Sequence, residues 1–227
     1  MNGETVVEVR ASGAGSTAEL SKRLEELREG RAPSAAERVE LAARMRIAPK
    51  LHPVHTLMEE HRFILGSLRE LAAFLDRLDG YTSFGEMGAD AEVFKGIAHH
   101  LVDAESHHDR EEEVLFPRME AHGVTLAPGI MRRDHVGFRA CKRRLYQLAQ
   151  AAGSSEDFGA FKVEVREKGR PLTGGLVDHI FQEDTIVYQI ALEVLSADEW
   201  ADVKRGCDGI GYCCFKPEDQ AARSAGQ

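Results

Sequence analysis

Between residues 54 and 78, apolar side chains return at three- and four-residue steps: Val54, Leu57, Met58, Ile64, Leu65, Leu68, Leu71, Ala72, Leu75 and Leu78. That period marks an amphipathic helix of about seven turns, and so long an apolar stripe requires partner helices to cover it. One polar residue interrupts the stripe, His61, where leucine would be the usual choice. His52-Pro53 places proline at the first helical position.

Helical periods return over about 90–120, where Pro117 is expected to bend the end, over roughly 130–150, and in a last long helix ending near Leu195. The expected breaks are a loop over 80–88, the His122-Gly123 stop with Pro128-Gly129 ahead of the third helix, and Gly153-Ser154-Ser155. Pro171 with Gly174-Gly175 predicts an irregular first half for the fourth helix. Residues 1–15 read as a loosely ordered tail followed by two short helices, the second opened by the Ser34/Glu37 capping box. Ser196 and Glu199 cap a final short helix. No segment reads as a strand. The expected fold is all-α: an up-down-up-down four-helix bundle over 49–195, preceded by a tail and short helices over 1–48. A helix and Cys-containing tail over 196–227 complete the chain.

Composition narrows the function. The 227 residues are 43% hydrophobic and 30% charged, ordinary for a globular chain long enough to bury a core. A net charge of -9 argues against nucleic-acid or anionic-membrane partners, which need a basic face. No run reaches the roughly 18 apolar residues of a spanning helix, and the start lacks a signal-peptide pattern, so a cytoplasmic address is expected. Cys141, Cys207, Cys213 and Cys214 do not make a secreted disulfide framework.

The chemistry is carried by ten histidines, all of them between residues 51 and 180. The second long helix has the face Val93, Ile97, His100, Ala104, His107, Glu111, Val114, and the fourth has Leu172, Leu176, His179, Glu183, Ile186, Ile190. In both, a histidine and a glutamate four apart project from one side. The third helix adds His135 between Met131 and Phe138. A carboxylate among apolar neighbours is expensive to bury without a compensating cation or donor, and four inward histidines with two glutamates suit a metal site. The chain also repeats itself: Glu111-Glu112-Glu113-Val114-Leu115-Phe116 matches Glu183-Asp184-Thr185-Ile186-Val187-Tyr188, each four residues after a histidine. His61 and His107 are 46 residues apart, His135 and His179 44. An antiparallel hairpin about the 80–88 loop sets position 107 near 62, favouring His61 over His52 or His55.

His107-x-x-x-Glu111 running into Leu115-Phe116-Pro117, with His179-x-x-x-Glu183 and the lone histidines of Glu60-His61-Arg62 and Asp134-His135, resembles the hemerythrin/HHE cation-binding family over about residues 50–195. The resemblance implies a four-helix bundle with a carboxylate-bridged pair of iron ions (ferrous or ferric, oxo- or hydroxo-bridged). Its implied ligands are His61, His107, Glu111, His135, His179 and Glu183, with both glutamates bridging. The donor set itself favours iron, with manganese next; structural zinc prefers four closed ligands and catalytic zinc three. A ferritin-like site would use Glu-x-x-His motifs and more carboxylates.

Oxygen-carrying members of the family have a second histidine one turn after the third helix's ligand, where this chain has Arg139. One iron is then expected to keep an open position, and the resemblance points to di-iron proteins that handle nitric oxide, peroxide or iron–sulfur-cluster repair. Arg139 is expected either to donate hydrogen bonds to a bound anion or to point outward, the register of the third helix resting on few apolar residues. His100 reads as a core or outer-sphere histidine, with an extra ligand or proton relay as the alternative, His55 with Glu59 as a surface pair, and His99, His108 and His122 as solvent-facing. Of the cysteines, Cys207, Cys213 and Cys214 read first as buried free thiols; the alternative is that the C-terminal segment folds over one end of the bundle and brings a thiol near the open iron, as reductant or redox switch. Two function classes follow: an oxidoreductase reducing peroxide, nitric oxide or dioxygen with electrons from an unnamed donor, or a non-catalytic binder that senses or buffers oxygen, nitric oxide or iron, or donates iron for cluster repair.

Overall fold

Three serines open helices by one device. Ser16, Ser34 and Ser196 each accept a hydrogen bond from the backbone N–H three residues on, while Glu19, Glu37 and Glu199 reach back to the serine N–H. This satisfies two of the donors that a helix start leaves bare. The computed structural model describes residues 15–29, 31, 33–153 and 157–213. The tail expected over 1–15 (Gly15 apart), Ser154-Ser155 and the C-terminal tail from Cys214 lie outside the described residues.

After α1 (Thr17–Arg28) and α2 (Ala35–Ala43) come four long rods. The first is α3 (Pro53–Leu78), capped by the His52 ring nitrogen, which accepts from the Val54 N–H. A short α4 (Phe84–Met87) sits in the expected 80–88 loop. The second rod is segmented: α5 (Asp90–Asp103), α6 (Glu105–Arg110), a π-helical turn at Glu111–Leu115, and α7 (Phe116–Ala121). The third is α8 (Leu126–Ala151). The fourth joins α9 (Phe158–Gln182), a second π-helical turn at Glu183–Val187, and α10 (Tyr188–Val194). Helix α11 (Ala197–Ile210) follows, and the described residues contain no strand. Rod α3 packs on α5 and α9, and α8 packs on the same two, so the rods form a ring of four.

Three local expectations are corrected. Pro128 lies inside the first turn of α8, where its missing N–H has no partner to lose. Pro171 lies within a continuous α9: it is exposed, as is Glu167, whose freed carbonyl can be hydrated. Val93 and His100 are exposed, the inward face of α5 being Phe94, Ile97, Ala98 and Leu101.

Two apolar cores fill the ring. One gathers Leu20 and Leu24 of α1, Leu57, Phe116, Met131, Ile186 and Trp200. The other holds Ile64, Leu68, Phe74, Phe94, Leu145 and Leu176. His61 falls between Leu57 and Ile64, and His179 between Leu176 and Ile186, so the polar residues occupy a layer where the two cores meet. Helix α1 is part of this packing rather than an appendage, whereas α2 buries no residue.

Candidate metal centre

The histidines come from α-helical stretches of the four rods, and both hexapeptides matched in the sequence adopt the same geometry. The π-helical turns start at Glu111 and at Glu183, and such wide turns recur at functional sites. His61, His107, Glu111, His135, His179 and Glu183 are all at most 1% exposed. The structure brings all six together. His61 Nε2 lies 3.2 Å from Glu183 Oε2, His179 Nε2 2.8 Å from Glu183 Oε1, and His135 Nε2 3.5 Å from the same oxygen. Glu111 Oε2 lies 3.7 Å from His107 Nε2 and 3.6 Å from His135 Nε2. Donor atoms of His61, His107 and Glu183 lie within 4.8 Å of one another, and so do those of His135, His179 and Glu183.

The four imidazoles are held in one orientation by four carboxylates. His61 Nδ1 donates to Asp184 (2.7 Å), His107 Nδ1 to Glu60 (2.9 Å), His135 Nδ1 to Glu112 (2.7 Å) and His179 Nδ1 to Asp134 (3.0 Å). Every Nε2 is thereby turned inward, the arrangement that fixes tautomer and ring orientation around protein-bound metals. The pairing is cyclic: the first rod orients the second rod's histidine, the second the third's, the third the fourth's, and the fourth the first's. Sequence reasoning missed these four acids. Each is adjacent to a donor of its own rod (Glu60-His61, Glu111-Glu112, Asp134-His135, Glu183-Asp184), which is the signal that could have found them.

Burial and mutual charge set the protonation states. Burial, then the charge of Glu183, pushes Glu111 well above the usual carboxylate range. Burial also opposes the charge on Glu183, but His179, His135 and His61 overcome it and hold Glu183 well below that range. Burial, then His61 and Arg110, drives His107 well below the ordinary histidine value. One oxygen on each glutamate, Glu111 Oε2 and Glu183 Oε1, has no hydrogen-bond partner; His179 Nε2, though 2.8 Å from Glu183 Oε1, pairs with His135 Nε2 at 2.9 Å. Buried carboxylate oxygens left so are costly unless a cation meets them. The donor set and its orphaned oxygens therefore fit a metal.

Tyr188 is the other residue the sequence did not single out. It is fully buried, its hydroxyl donates to Glu111 Oε1 at 2.6 Å, and it sits 3.5 Å from both His61 Nε2 and His107 Nε2. Burial, then Glu111 and Glu183, raises it well above the ordinary phenol value, so it keeps its proton. Its counterpart in the repeat, Phe116, stacks near His135 instead.

Other expectations are corrected. His108 does not face solvent: it is 3% exposed and stacks on His135 with ring centroids 3.9 Å apart. The bend at Ala104, where α5 ends, changes the register between His100 and His107. Arg139 does not reach into the centre; its guanidinium donates to Glu105, Glu112 and Asp109. His99 and His122 are at the surface as expected, His122 bonded there to Glu199. His52 packs against Trp200 with the rings tilted, while Glu59 pairs with Arg62 rather than His55.

The C-terminal segment covers a flank of the site. Cys207 is buried on α11, the Tyr212 ring lies under the Arg110 guanidinium, and Cys213 Sγ is 4.0 Å from Glu60 Oε1, with Glu60 bonded in turn to Arg110 and His107. A cleft of about 730 Å³ beside it is lined by His100, Ser106, Tyr212 and Cys213 but by none of the six donors.

Residues 52–191 match the family model described as the hemerythrin HHE cation binding domain. No curated protein is significantly similar to the chain. No helix among the described residues is long and apolar enough to cross a membrane.

Proposed function

From the premise that this chain belongs to the hemerythrin HHE cation-binding family, whose model spans more than half of it, we propose that its buried cluster holds two iron ions and that the pair binds and reduces a small oxidant: peroxide, nitric oxide or dioxygen. The observation that carries this is the convergence of four carboxylate-held imidazoles on two buried glutamates, two of whose oxygens lack partners. His61 and His107 would serve one ion and His135 and His179 the other, with Glu111 and Glu183 between them. The up-down-up-down order of the rods is supported by the register that sets His61 against His107.

When bound, the irons would supply redox equivalents and an open coordination position. The chain's own residues do the rest. Asp184, Glu60, Glu112 and Asp134 keep the imidazole nitrogens oriented, so little reorganisation accompanies binding. The donors' near-complete burial keeps bulk water away from them. Tyr188 holds a proton within 3.5 Å of the His61 and His107 nitrogens, the position from which it can be given to a ligand on that side.

The test is elemental analysis of protein expressed with sufficient iron, followed by mixing of the ferrous form with peroxide or nitric oxide. About two irons per chain and catalytic loss of oxidant in the presence of an electron donor are expected. Zinc, or a single metal, in iron-replete protein overturns the di-iron centre; a stable, reversible adduct without turnover replaces the reductase with a carrier or sensor.

A further inference from the structure

The six donors divide evenly, two histidines to each half of the cluster, but their surroundings do not. The His61/His107 half carries the Tyr188 hydroxyl. The His135/His179 half carries a fifth imidazole, His108 on α6. One ring nitrogen of His108, one of His135 and an oxygen of Glu111 all lie within 4.8 Å of one another, and all three residues are buried. His108 is 3% exposed, and its Nδ1 has no hydrogen-bond partner, Glu105 Oε2 being 3.6 Å away. Stacked parallel to His135, with His179 in T-shaped contact with His135, it completes a cluster of three imidazoles beside Glu111 and Glu183.

We propose that His108 is a fifth histidine ligand, giving the His135/His179 half three imidazoles and leaving the open position to the His61/His107 half beside Tyr188. This rests on the di-iron reading above. The place that Arg139 cannot fill, with its guanidinium tied to Glu105, Glu112 and Asp109, is supplied from the second rod instead of the third. The local reason is backbone: the bend at Ala104 turns the next helix so that both His107 and His108 point inward. Glu105 is placed to hold His108 Nδ1 after a small shift, as the four acids hold the other imidazoles. The assignment gives the two irons different donor sets and directs a small ligand to the tyrosine side.

The experiment compares the full chain with His108→Ala and His108→Gln. The readouts are iron per chain, the Mössbauer quadrupole doublets of the ferric protein, and the thermal melt of each iron-free form. Wild type is expected to hold about two irons with two inequivalent doublets, and both variants to fall to about one iron or lose one doublet, with iron-free melts close to wild type. Imidazole added to His108→Ala should restore the missing iron or doublet. Two irons and unchanged doublets in both variants would overturn His108 as a ligand while leaving the di-iron centre standing. Equally, a variant deficit that imidazole leaves untouched in well-folded His108→Ala would make His108 a packing residue. Wild type that does not hold two irons sinks the underlying centre, and His108 with it.

Discussion

Three consecutive glutamates on the second rod are assigned three different tasks, and substituting each in turn separates them. Glu111 is fully buried between His107 and His135, Glu112 is partly exposed and bonded to His135 Nδ1, and Glu113 is exposed. Glu111→Gln removes a negative donor from the centre of the cluster and should abolish tight iron binding. It should leave the iron-free protein at least as stable, because burial and the charge of Glu183 both oppose ionisation of Glu111. Glu112→Ala strands a buried His135 N–H. A hydrogen bond to a charged group contributes about 1.5–3 kcal/mol, which corresponds to roughly 10- to 100-fold in iron affinity, the usual scale for such partners. Glu112→Gln keeps an acceptor but not its charge, so the loss should be about 10-fold or less. Arg139 retains Glu105 and Asp109 in both variants, so a stranded guanidinium cannot mimic the effect. Glu113→Gln should be silent. Iron titration of the iron-free proteins against a competing chelator, with helicity checked by circular dichroism, reads the series. Wild-type affinity in Glu112→Ala, or an equal loss in Glu113→Gln, would refute the reasoning.

Replacing His107 or His179 with alanine should sharply lower iron content, whereas His122→Ala should not; elemental analysis decides, and iron loss confined to His122→Ala would dismantle the ligand set. Arg139→Met removes contacts to Glu105, Asp109 and Glu112, none of them one of the six donors, and should cost about 1–2 kcal/mol of stability without changing azide affinity of the ferric protein. A several-fold change in that affinity would put the guanidinium at the ligand after all. Burial, then the nearby His55, lowers His52 from 6.5 to about 4, so between those values the unfolded chain binds more protons. The stability His52 contributes is present above pH 6.5 and is lost as pH falls toward 4, by about 3 kcal/mol at roughly 1.4 kcal/mol per unit. His52→Asn, which also caps a helix, should flatten that part of the urea-midpoint profile of iron-free protein; an unaltered slope would show that His52 does not titrate there.

The rods were legible because an apolar stripe of three- and four-residue steps survives in α3 and in α9 whatever the neighbours are, and because the Ser34 and Ser196 boxes mark their helix starts locally. Prolines were harder to read. Their effect depends on whether the carbonyl that loses its partner can reach water, and the sequence does not state which side of α9 Pro171 occupies. The second rod was misread for a related reason: a fixed 3.6-residue period carried through Ala104 puts His100 inward and His108 outward, and the real helix breaks its period there.

Within the site, a histidine in a leucine stripe stands out by contrast, so His61, His107, His135 and His179 were visible as inward residues. Glu60, Glu112, Asp134 and Asp184 were not, because an acid beside a buried residue on a helix ordinarily faces water. Their role is a property of the ring of rods, since each acts on a histidine from the next helix. This coupling bears on how the site keeps its shape. A one-residue slip of any rod would turn its donor away and at the same time release the histidine that its acid holds on the neighbouring rod. Two apolar cores of ordinary leucines tolerate small shifts of volume. The polar layer between them does not, because each displaced acid leaves a buried imidazole N–H unpaired, at about 1–3 kcal/mol apiece. The layer that binds metal is thus also the one that sets the register of the four rods before any metal arrives.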